Sequence, residues 1–214
     1  MIKKHYRNHQ DGFSVVELLI ALTVVSLIVV AGVFVYKKNS SQTYADSTNG
    51  MLVKLIYNGG ACAPHSIDTY PNSLCKHPMD TIVDPLGYHN RECGSYVAWM
   101  EQSTGHYMPY HLANYVGAWP AAVPASWIVT KPEAGDAAIR PNIPGLKLPN
   151  GEEDPGHAMY IINPNYRHTG DLLIKEYNLN STGKFSEAVV APSFYFYGHH
   201  ENLVYIRFPE ATAS

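Results

Sequence analysis

Residues 84–99, which surround Cys93, read DPLGYHNRECGSYVAW. Asn90 is a favourable N-cap, and Cys93, Val97 and Met100 recur at the i, i+4 and i+7 spacing of one helix face. We therefore predict a helix that has Cys93 in its first turn. Free backbone N–H groups and the helix dipole favour a thiolate there, which is the nucleophilic form of cysteine. A buried, inert cysteine is the alternative for a thiol considered alone.

Two segments after this helix have the pattern of β-strands. Residues 156–162 form a β-favouring run with His157 near its start, and residues 172–179 form another. In the second run, alternation predicts that Glu176 and Asn178 lie on the same face. A cysteine, a histidine and a carboxylate on three separate elements are the components of a thiol hydrolase.

Two other segments have the spacing of an amphipathic helix. Residues 44–57 repeat apolar positions every three or four residues, although Gly50 weakens one continuous helix. Residues 109–119 start with a proline at a favourable first position, and Pro120 is expected to stop the helix. The apolar stripe of this second segment comprises Leu112, Tyr115, Val116 and Trp119. We therefore predict a partly helical stalk before the domain and a second helix within it.

The N-terminal region contains an apolar segment long enough to cross a membrane. Residues 18–36 carry no charge, and at 1.5 Å rise per residue they span about 28 Å, close to the thickness of the hydrocarbon core. Lys3, Lys4 and Arg7 precede the segment and favour a cytoplasmic N-terminus, whereas the lysines at 37–38 weaken that inference. Charge counting alone therefore does not decide the orientation.

The junction ahead of this segment reads DGFSVVELLIAL at residues 11–22. A glycine, a phenylalanine and a glutamate four residues later resemble the type IV prepilin signal of pilins and pseudopilins. The resemblance implies that a prepilin peptidase cuts after Gly12, and that Glu17 pairs with the new amine of Phe13 on a neighbouring pilin-like subunit. A lone carboxylate at the start of a membrane helix is costly without such a partner. The alternatives are an ordinary signal anchor and a secretory signal cut near residues 30–32.

The three cysteines predict one disulfide and one free thiol. Cys62 and Cys75 enclose a loop rich in Pro, Ser and Asn, and outside the cytoplasm we expect them to be bonded, with a stabilisation of about 3 kcal/mol. Cys93 is then left over as a reactive thiol. Zinc is the rival use, through Cys75 with His77 or His89 with Cys93, but no CxxC pair occurs. We expect neither a metal nor another cofactor.

Residues from about 84 to 208 resemble a CHAP domain, the cysteine- and histidine-dependent amidohydrolase/peptidase family of the papain-like NlpC/P60 group. The matching motifs, in chain order, are NREC at 90–93 with SYVAW at 95–99, NYVGAW at 114–119, Pro132, GDAA at 135–138, GH at 156–157 with Tyr160, EYN at 176–178 and YIRF at 205–208. The resemblance implies an α+β fold in which N-terminal helices, including the cysteine helix, pack on an antiparallel sheet. It implies Cys93 as nucleophile, His157 as general base and acid, and Glu176, with Asn178 nearby, as the group that orients the histidine.

These features divide the chain into four parts. We predict a prepilin-type leader at 1–12, a single transmembrane pilin-like helix at 13–38 with membrane contact through 13–36, a stalk with the cysteine loop at 39–83, and the CHAP domain at 84–214. This organisation predicts a single-pass protein of the bacterial cytoplasmic membrane, with its N-terminus in the cytoplasm and its C-terminal domain outside. A position in a surface pilus or pseudopilus is compatible with the same features.

The predicted function is hydrolysis of an amide bond in the peptide part of peptidoglycan, either as an N-acetylmuramoyl-L-alanine amidase or as an endopeptidase. The alternative is a minor pilin or pseudopilin whose CHAP-like head binds wall or glycan without catalysis, and a third is an adhesin with an aromatic surface. The long Pro/Gly/acidic stretch at 140–155 departs from the family pattern and leaves specificity open. Nucleic-acid binding is disfavoured, because the net charge is -3 and no basic cluster occurs.

Overall fold

The computed structural model describes the domain that follows the N-terminal region. The described residues are 52–60, 62, 69–148, 151–179, 182–196 and 199–212. The predicted leader, the predicted transmembrane helix and the residues Gly12, Phe13 and Glu17 lie outside them. Among the described residues, none of the helices combines the length and the apolar character needed to cross a bilayer.

In the described part of the chain, a seven-stranded antiparallel sheet forms the centre of the domain. Its strands are β1 (Leu52–Asn58), β2 (Ile128–Val129), β3 (Ala137–Arg140), β4 (His157–Asn163), β5 (Leu172–Tyr177), β6 (Phe185–Val190) and β9 (Val204–Ile206). They lie in the order β1-β6-β5-β4-β3-β9-β2. Strands β7 (Ser193–Phe196) and β8 (His199–Asn202) form a separate hairpin. The strands predicted around His157 and Glu176 are therefore adjacent members of one sheet.

The described helices are few and mostly short. They are α1 (Asn72–Cys75), α2 (Cys93–Ser103) and α3 (Trp119–Ala122), with 3-10 turns at Val116–Ala118, Ala125–Trp127 and Tyr166–His168. The longest, α2, begins at Cys93, so the cysteine lies in the first turn, as predicted. An antiparallel sheet with a small number of helices is an α+β domain, which agrees with the predicted class.

Helix α2 packs on one face of the sheet through residues 96–98, which are fully buried. Two hydrophobic cores result, because successive residues of each strand point to opposite faces. The core on the helix side contains Ala137, Ile139, Ala158, Tyr160, Tyr177 and Phe185. The core on the other side contains Ala138, Met159, Ile161, Leu172, Ile174 and Phe194. Burial on both faces holds β4 and β5, and with them the residues at their ends, in fixed positions.

The helix predicted at 44–57 is wrong over its described part, because β1 pairs with β6 at the edge of the sheet. A register irregularity between Leu55 and Tyr57 allows Leu55 to pack against one core and Tyr57 against the other. Apolar residues at such irregular intervals imitate a helical spacing. Pairing with a strand far along the chain decides the conformation.

The helix predicted at 109–119 is also wrong, because its backbone is bonded to the loop before α2. The N–H group of His111 donates to the carbonyl of Leu86 at 2.8 Å, and the N–H group of Leu112 donates to the hydroxyl of Tyr88 at 2.9 Å. His111 has a φ of 45°, in the left-handed region, which a continuous helix does not allow. Pro120 starts a helix instead of stopping one, since it lies in the first turn of α3.

Candidate active site

The loop before α2 is held by Asn90, which is fully buried. Its Oδ1 accepts the backbone N–H groups of residues 81–82, both at 3.1 Å, and its Nδ2 donates to the carbonyls of Leu74 and Pro78 at 2.9 and 3.0 Å. The N-cap of α2 is Glu92, so the assignment of Asn90 as N-cap is wrong. Asn90 instead uses both ends of its amide to fix the chain that leads to the cysteine.

A chain of hydrogen bonds fixes the first turn of α2. Arg91 N–H donates to the Tyr70 hydroxyl at 3.1 Å, and the Ser95 hydroxyl donates to Asp84 Oδ2 at 2.5 Å. The Tyr70 and Ser95 oxygens are 2.6 Å apart, and the tyrosine is the donor because the serine hydrogen is already used. The chain ties residue 70, from the segment predicted to be a stalk, to the turn that carries the cysteine.

The 3-10 turn at Val116–Ala118 joins the start of α2 to the start of β4. A Cβ on Gly94 would lie 2.7 Å from the side chain of Val116, and a Cβ on Gly156 would lie 2.4 Å from the Cα of Gly117. Gly156 also has a φ of 76°, which favours glycine. Both glycines are needed because main chain and side chain approach closely here. The Gly-His pair at 156–157 therefore has a steric basis.

A buried ion pair closes the base of the 140–155 stretch. The guanidinium of Arg140 donates to both oxygens of Asp154, each at 2.7 Å. Burial opposes ionisation of Asp154, but the bonds from Arg140 and from the N–H groups of Ile143 and Gly156 outweigh it and lower the pKa of the carboxyl. Arg140 is the cross-strand partner of His157. The stretch is therefore anchored beside the histidine.

The structure brings Cys93, His157 and Glu176 together from three elements. Cys93 is the first residue of α2, His157 is the first residue of β4, and Glu176 lies in β5. The Nε2 atom of His157 lies 3.3 Å from Oε2 of Glu176, and the Ser186 hydroxyl donates to the other carboxylate oxygen. All three side chains are buried, Glu176 completely. The geometry has the components of a thiol nucleophile, a proton carrier and an orienting acid.

The electrostatic environment favours the protonated form of His157. Burial alone would lower the pKa of the imidazole. The interaction with Cys93, followed by the interaction with Glu176, outweighs burial and raises the pKa of His157 to about 10. At neutral pH the arrangement thus supports an imidazolium beside Cys93 and Glu176.

Asn178 contacts Glu92. It does not share a strand face with Glu176, contrary to the prediction from alternation. Strand β5 ends at Tyr177, and Asn178 has a φ of 69°, so the alternation that predicted a common face stops before it. Its Nδ2 donates to both carboxylate oxygens of Glu92 at 2.9 and 3.0 Å. Asn178 is therefore close to the site through the residue that precedes Cys93.

Sequence reasoning missed several residues that support the site. Ser186 was missed because its contact with Glu176 depends on the register of β5 and β6, in which the two residues are direct partners. Glu92 and Tyr70 were missed because their partners, Asn178 and Ser95, are distant in the sequence. The one feature of the sequence that could have pointed to Glu92 is its position immediately before Cys93.

Cysteine usage agrees with the prediction. Cys62 and Cys75 form a disulfide with a Cα–Cα distance of 5.1 Å, which removes Cys75 from the rival zinc assignment. Cys93 is the free cysteine and is buried. Within the described ranges, no group of three or more His, Cys, Asp or Glu side chains could hold a metal ion.

Comparison with known families identifies the N-terminal region. The prokaryotic N-terminal methylation motif matches residues 7–33, a range that includes Gly12, Phe13 and Glu17. The match supports the predicted prepilin-like N-terminal segment, which implies processing by a prepilin peptidase and association with pilin-like subunits. Neither a curated protein nor a solved structure matches the chain.

Proposed function

We propose that the chain is a pilin-like, membrane-tethered thiol hydrolase that cleaves an amide bond in peptidoglycan. The observation that carries the proposal is the convergence of Cys93, His157 and Glu176, in a buried ion-pairing arrangement, from positions far apart in the sequence. The resemblance of residues 84–208 to a CHAP domain supports the same assignment. The methylation motif at 7–33 supports the tether.

The geometry suggests a complete reaction sequence. The Cys93 thiolate attacks the amide carbonyl, and the first N–H groups of α2, which lack partners within the helix, stabilise the oxyanion. The His157 imidazolium then gives its proton to the leaving amine as the C–N bond breaks, which leaves a thioester on Cys93. Neutral His157 next takes a proton from water, and the resulting hydroxide attacks the thioester and releases the carboxylate product. Glu176 orients the imidazole and stabilises its charge throughout.

Peptidoglycan is the proposed substrate because of the location and the chemistry together. A prepilin-type anchor with a cytoplasmic N-terminus would place residues 52–212 outside the cytoplasmic membrane, where the Cys62–Cys75 disulfide is stable. The wall is the abundant amide-containing polymer at that location. A hydrolase carried on a pilus-type assembly would open a local path through it.

A second candidate function is a pilin-like subunit whose head binds wall or glycan without catalysis. The methylation motif supports this candidate as well as the first. A specific feature of the domain also favours it: Tyr107, Tyr110 and Tyr115 are exposed, Tyr110 to 72%. Exposed tyrosine rings suit contact with sugar rings, and such binding needs no nucleophile.

Product analysis with the full-length protein in detergent separates the two functions. Purified peptidoglycan is incubated with the parent protein and with Cys93→Ala, and soluble products are identified by mass spectrometry. We expect the parent to release either intact stem peptides, as an amidase does, or fragments with new peptide termini, as an endopeptidase does. Sedimentation of the parent with the wall and no released product would favour the binding function.

Processing is tested separately on protein extracted from membranes. N-terminal sequencing is expected to start at Phe13 with a methylated amine, because the motif match spans the Gly12–Phe13 junction. A start near Gly32 would contradict the prepilin interpretation and support a secretory signal.

A further inference from the structure

One carboxylate beside the proposed active site has no part in the triad. Glu92 directly precedes Cys93 and is the N-cap of α2, but its side chain makes no cap hydrogen bond to the helix. It instead accepts hydrogen bonds from Asn178 in the loop after β5, and it interacts electrostatically with Asp80 from the preceding loop and His157 from β4. The carboxylate therefore links the start of the helix that carries Cys93 to the loop after β5, the strand that carries Glu176.

The contact with Asn178 has a defined orientation. The Gly183 N–H donates to Oδ1 of Asn178 at 2.7 Å, so the amide must direct its Nδ2 towards Glu92, where it reaches both oxygens. The Gly183 carbonyl in turn accepts from Nε of Arg91 at 2.8 Å. Both residues before the cysteine are thus bound to the loop that follows Glu176.

The charge of this carboxylate changes near neutral pH. Burial raises the pKa of Glu92 to about 7; the amide of Asn178 and the charge of His157 oppose the increase, and Asp80 adds to it. A protonated Glu92 accepts poorly through its hydroxyl oxygen, so it would lose part of the two-oxygen contact with Asn178. It would also lose the negative charge beside the imidazolium.

We infer that Glu92 is a positioning residue of the thiol site, which in its ionised form ties α2 to the loop after β5 and stabilises the His157 imidazolium. This inference rests on the proposed function for its biological meaning. What it predicts directly is that the reactivity of Cys93 depends on the ionisation of Glu92 as well as on the triad residues. The reactivity of Cys93 then responds to pH across the neutral range through Glu92, a residue outside the triad.

The pH dependence of Cys93 alkylation tests the inference. Full-length protein in detergent is treated with iodoacetamide between pH 5 and 9, and the rate is followed by mass spectrometry of the Cys93 peptide. We expect the parent to show a step near pH 7, which corresponds to the pKa of Glu92, and Glu92→Gln to lose that step. Glu176→Gln should retain the step at a different overall rate, because it leaves Glu92 unchanged.

A matched control is Glu153→Gln, which removes an exposed carboxylate paired with Lys147 on the surface. It should reproduce the parent profile. If Glu92→Gln keeps the step near pH 7, the inference is wrong. Wall hydrolysis by the parent is measured in parallel, so a parent that alkylates with the step but releases no product contradicts the proposed function alone.

Thermal unfolding separates a positioning role from simple misfolding of the variant. The pKa of Glu92 is raised from its ordinary value to about 7, so the folded protein holds a proton that the unfolded chain has released, and stability falls as the pH rises from 4.5 to 7. Glu92→Gln lacks this loss. We expect the variant to be at least as stable as the parent at pH 8 while its alkylation profile changes. A variant that is less stable than the parent at pH 8 would assign Glu92 a structural role and overturn the inference.

Discussion

The two ends of α2 each contact a histidine–glutamate pair, and the two pairs differ in what surrounds them. At the N-terminal end, His157 lies 3.3 Å from the fully buried Glu176 and also interacts with Cys93. At the C-terminal end, His106 Nδ1 lies 2.8 Å from Oε2 of Glu101, which is also fully buried. The second pair has the shorter contact, so distance alone does not identify a catalytic pair.

The two carboxylates differ in their hydrogen-bond partners: Ser186 for Glu176 and His106 for Glu101. Glu176 accepts a hydrogen bond from Ser186 on one oxygen and faces His157 with the other. Among the described residues, Oε1 of Glu101 and Oε2 of Glu176 both lack a hydrogen-bond partner, so an unsatisfied oxygen does not distinguish the two pairs. Burial, together with the charge of Asp136, raises the pKa of Glu101 to about 9. At neutral pH, Glu101 is therefore a neutral acid that donates to His106, and of the two pairs the first has the thiol of Cys93 beside it.

The largest expected effect on hydrolysis comes from replacing His157 or Cys93, with replacement of His106 as the comparison. His157→Ala removes the proton carrier and Cys93→Ala removes the nucleophile, so each should reduce wall hydrolysis by about 1,000-fold or more. His106→Ala removes the other histidine and should leave hydrolysis close to the parent rate. Release of soluble fragments from purified peptidoglycan measures all three, and circular dichroism checks the fold. If Cys93→Ala hydrolyses the wall as well as the parent does, the binding function replaces the catalytic one.

A smaller effect on hydrolysis is expected when Glu176 is replaced by glutamine, and the same replacement of Glu101 provides the comparison. Glu176→Gln keeps the size and an acceptor for His157 but removes the charge that stabilises the imidazolium, so hydrolysis should fall by about 100-fold without vanishing. Glu101→Gln replaces an acid that is already neutral at pH 7 and should change the rate little. The same hydrolysis assay ranks them.

The double variant Cys93→Ala/Glu176→Gln should be no slower than Cys93→Ala alone, because members of a triad act as a unit. Equal losses for Glu176→Gln and Glu101→Gln would show that both substitutions act through stability, and the comparison between the two pairs would then carry no information on catalysis.

The sequence predicted the parts of the site that depend on local pattern. The position of Cys93 in a first helical turn follows from helical spacing, and the strands with His157 and Glu176 follow from short β-favouring runs. The Cys62–Cys75 disulfide follows from cysteine number and compartment. The helix and the strands depend on residues close together in the sequence. The disulfide depends on the redox environment.

The remaining features depend on contacts between distant segments. Strand β1 forms because β6 offers it an edge, and the backbone of 111–112 turns towards residues 86–88 instead of forming a helix. Asn90 has the residue type of an N-cap, but its amide is hydrogen-bonded to five backbone groups of neighbouring segments. Local propensity cannot report such partners, so these elements were predicted incorrectly.

The smallest effect on activity, and the clearest on stability, is expected from Glu101→Gln as the pH changes. The pKa of Glu101 rises on folding from 4.5 to about 9, so the folded chain keeps a proton that the unfolded chain releases, and the parent loses stability as the pH rises through this range. Between pH 5 and pH 8 the loss approaches about 4 kcal/mol, and Glu101→Gln avoids it because its amide does not titrate. Thermal unfolding followed by circular dichroism at both pH values should show the variant gaining on the parent as the pH increases. The exposed Glu153→Gln serves as control and should keep a constant difference from the parent. If the stability difference between Glu101→Gln and the parent does not change with pH, Glu101 is ionised in the folded protein and forms an ion pair with His106, and the contrast between the two ends of α2 is then reduced to the presence of Cys93.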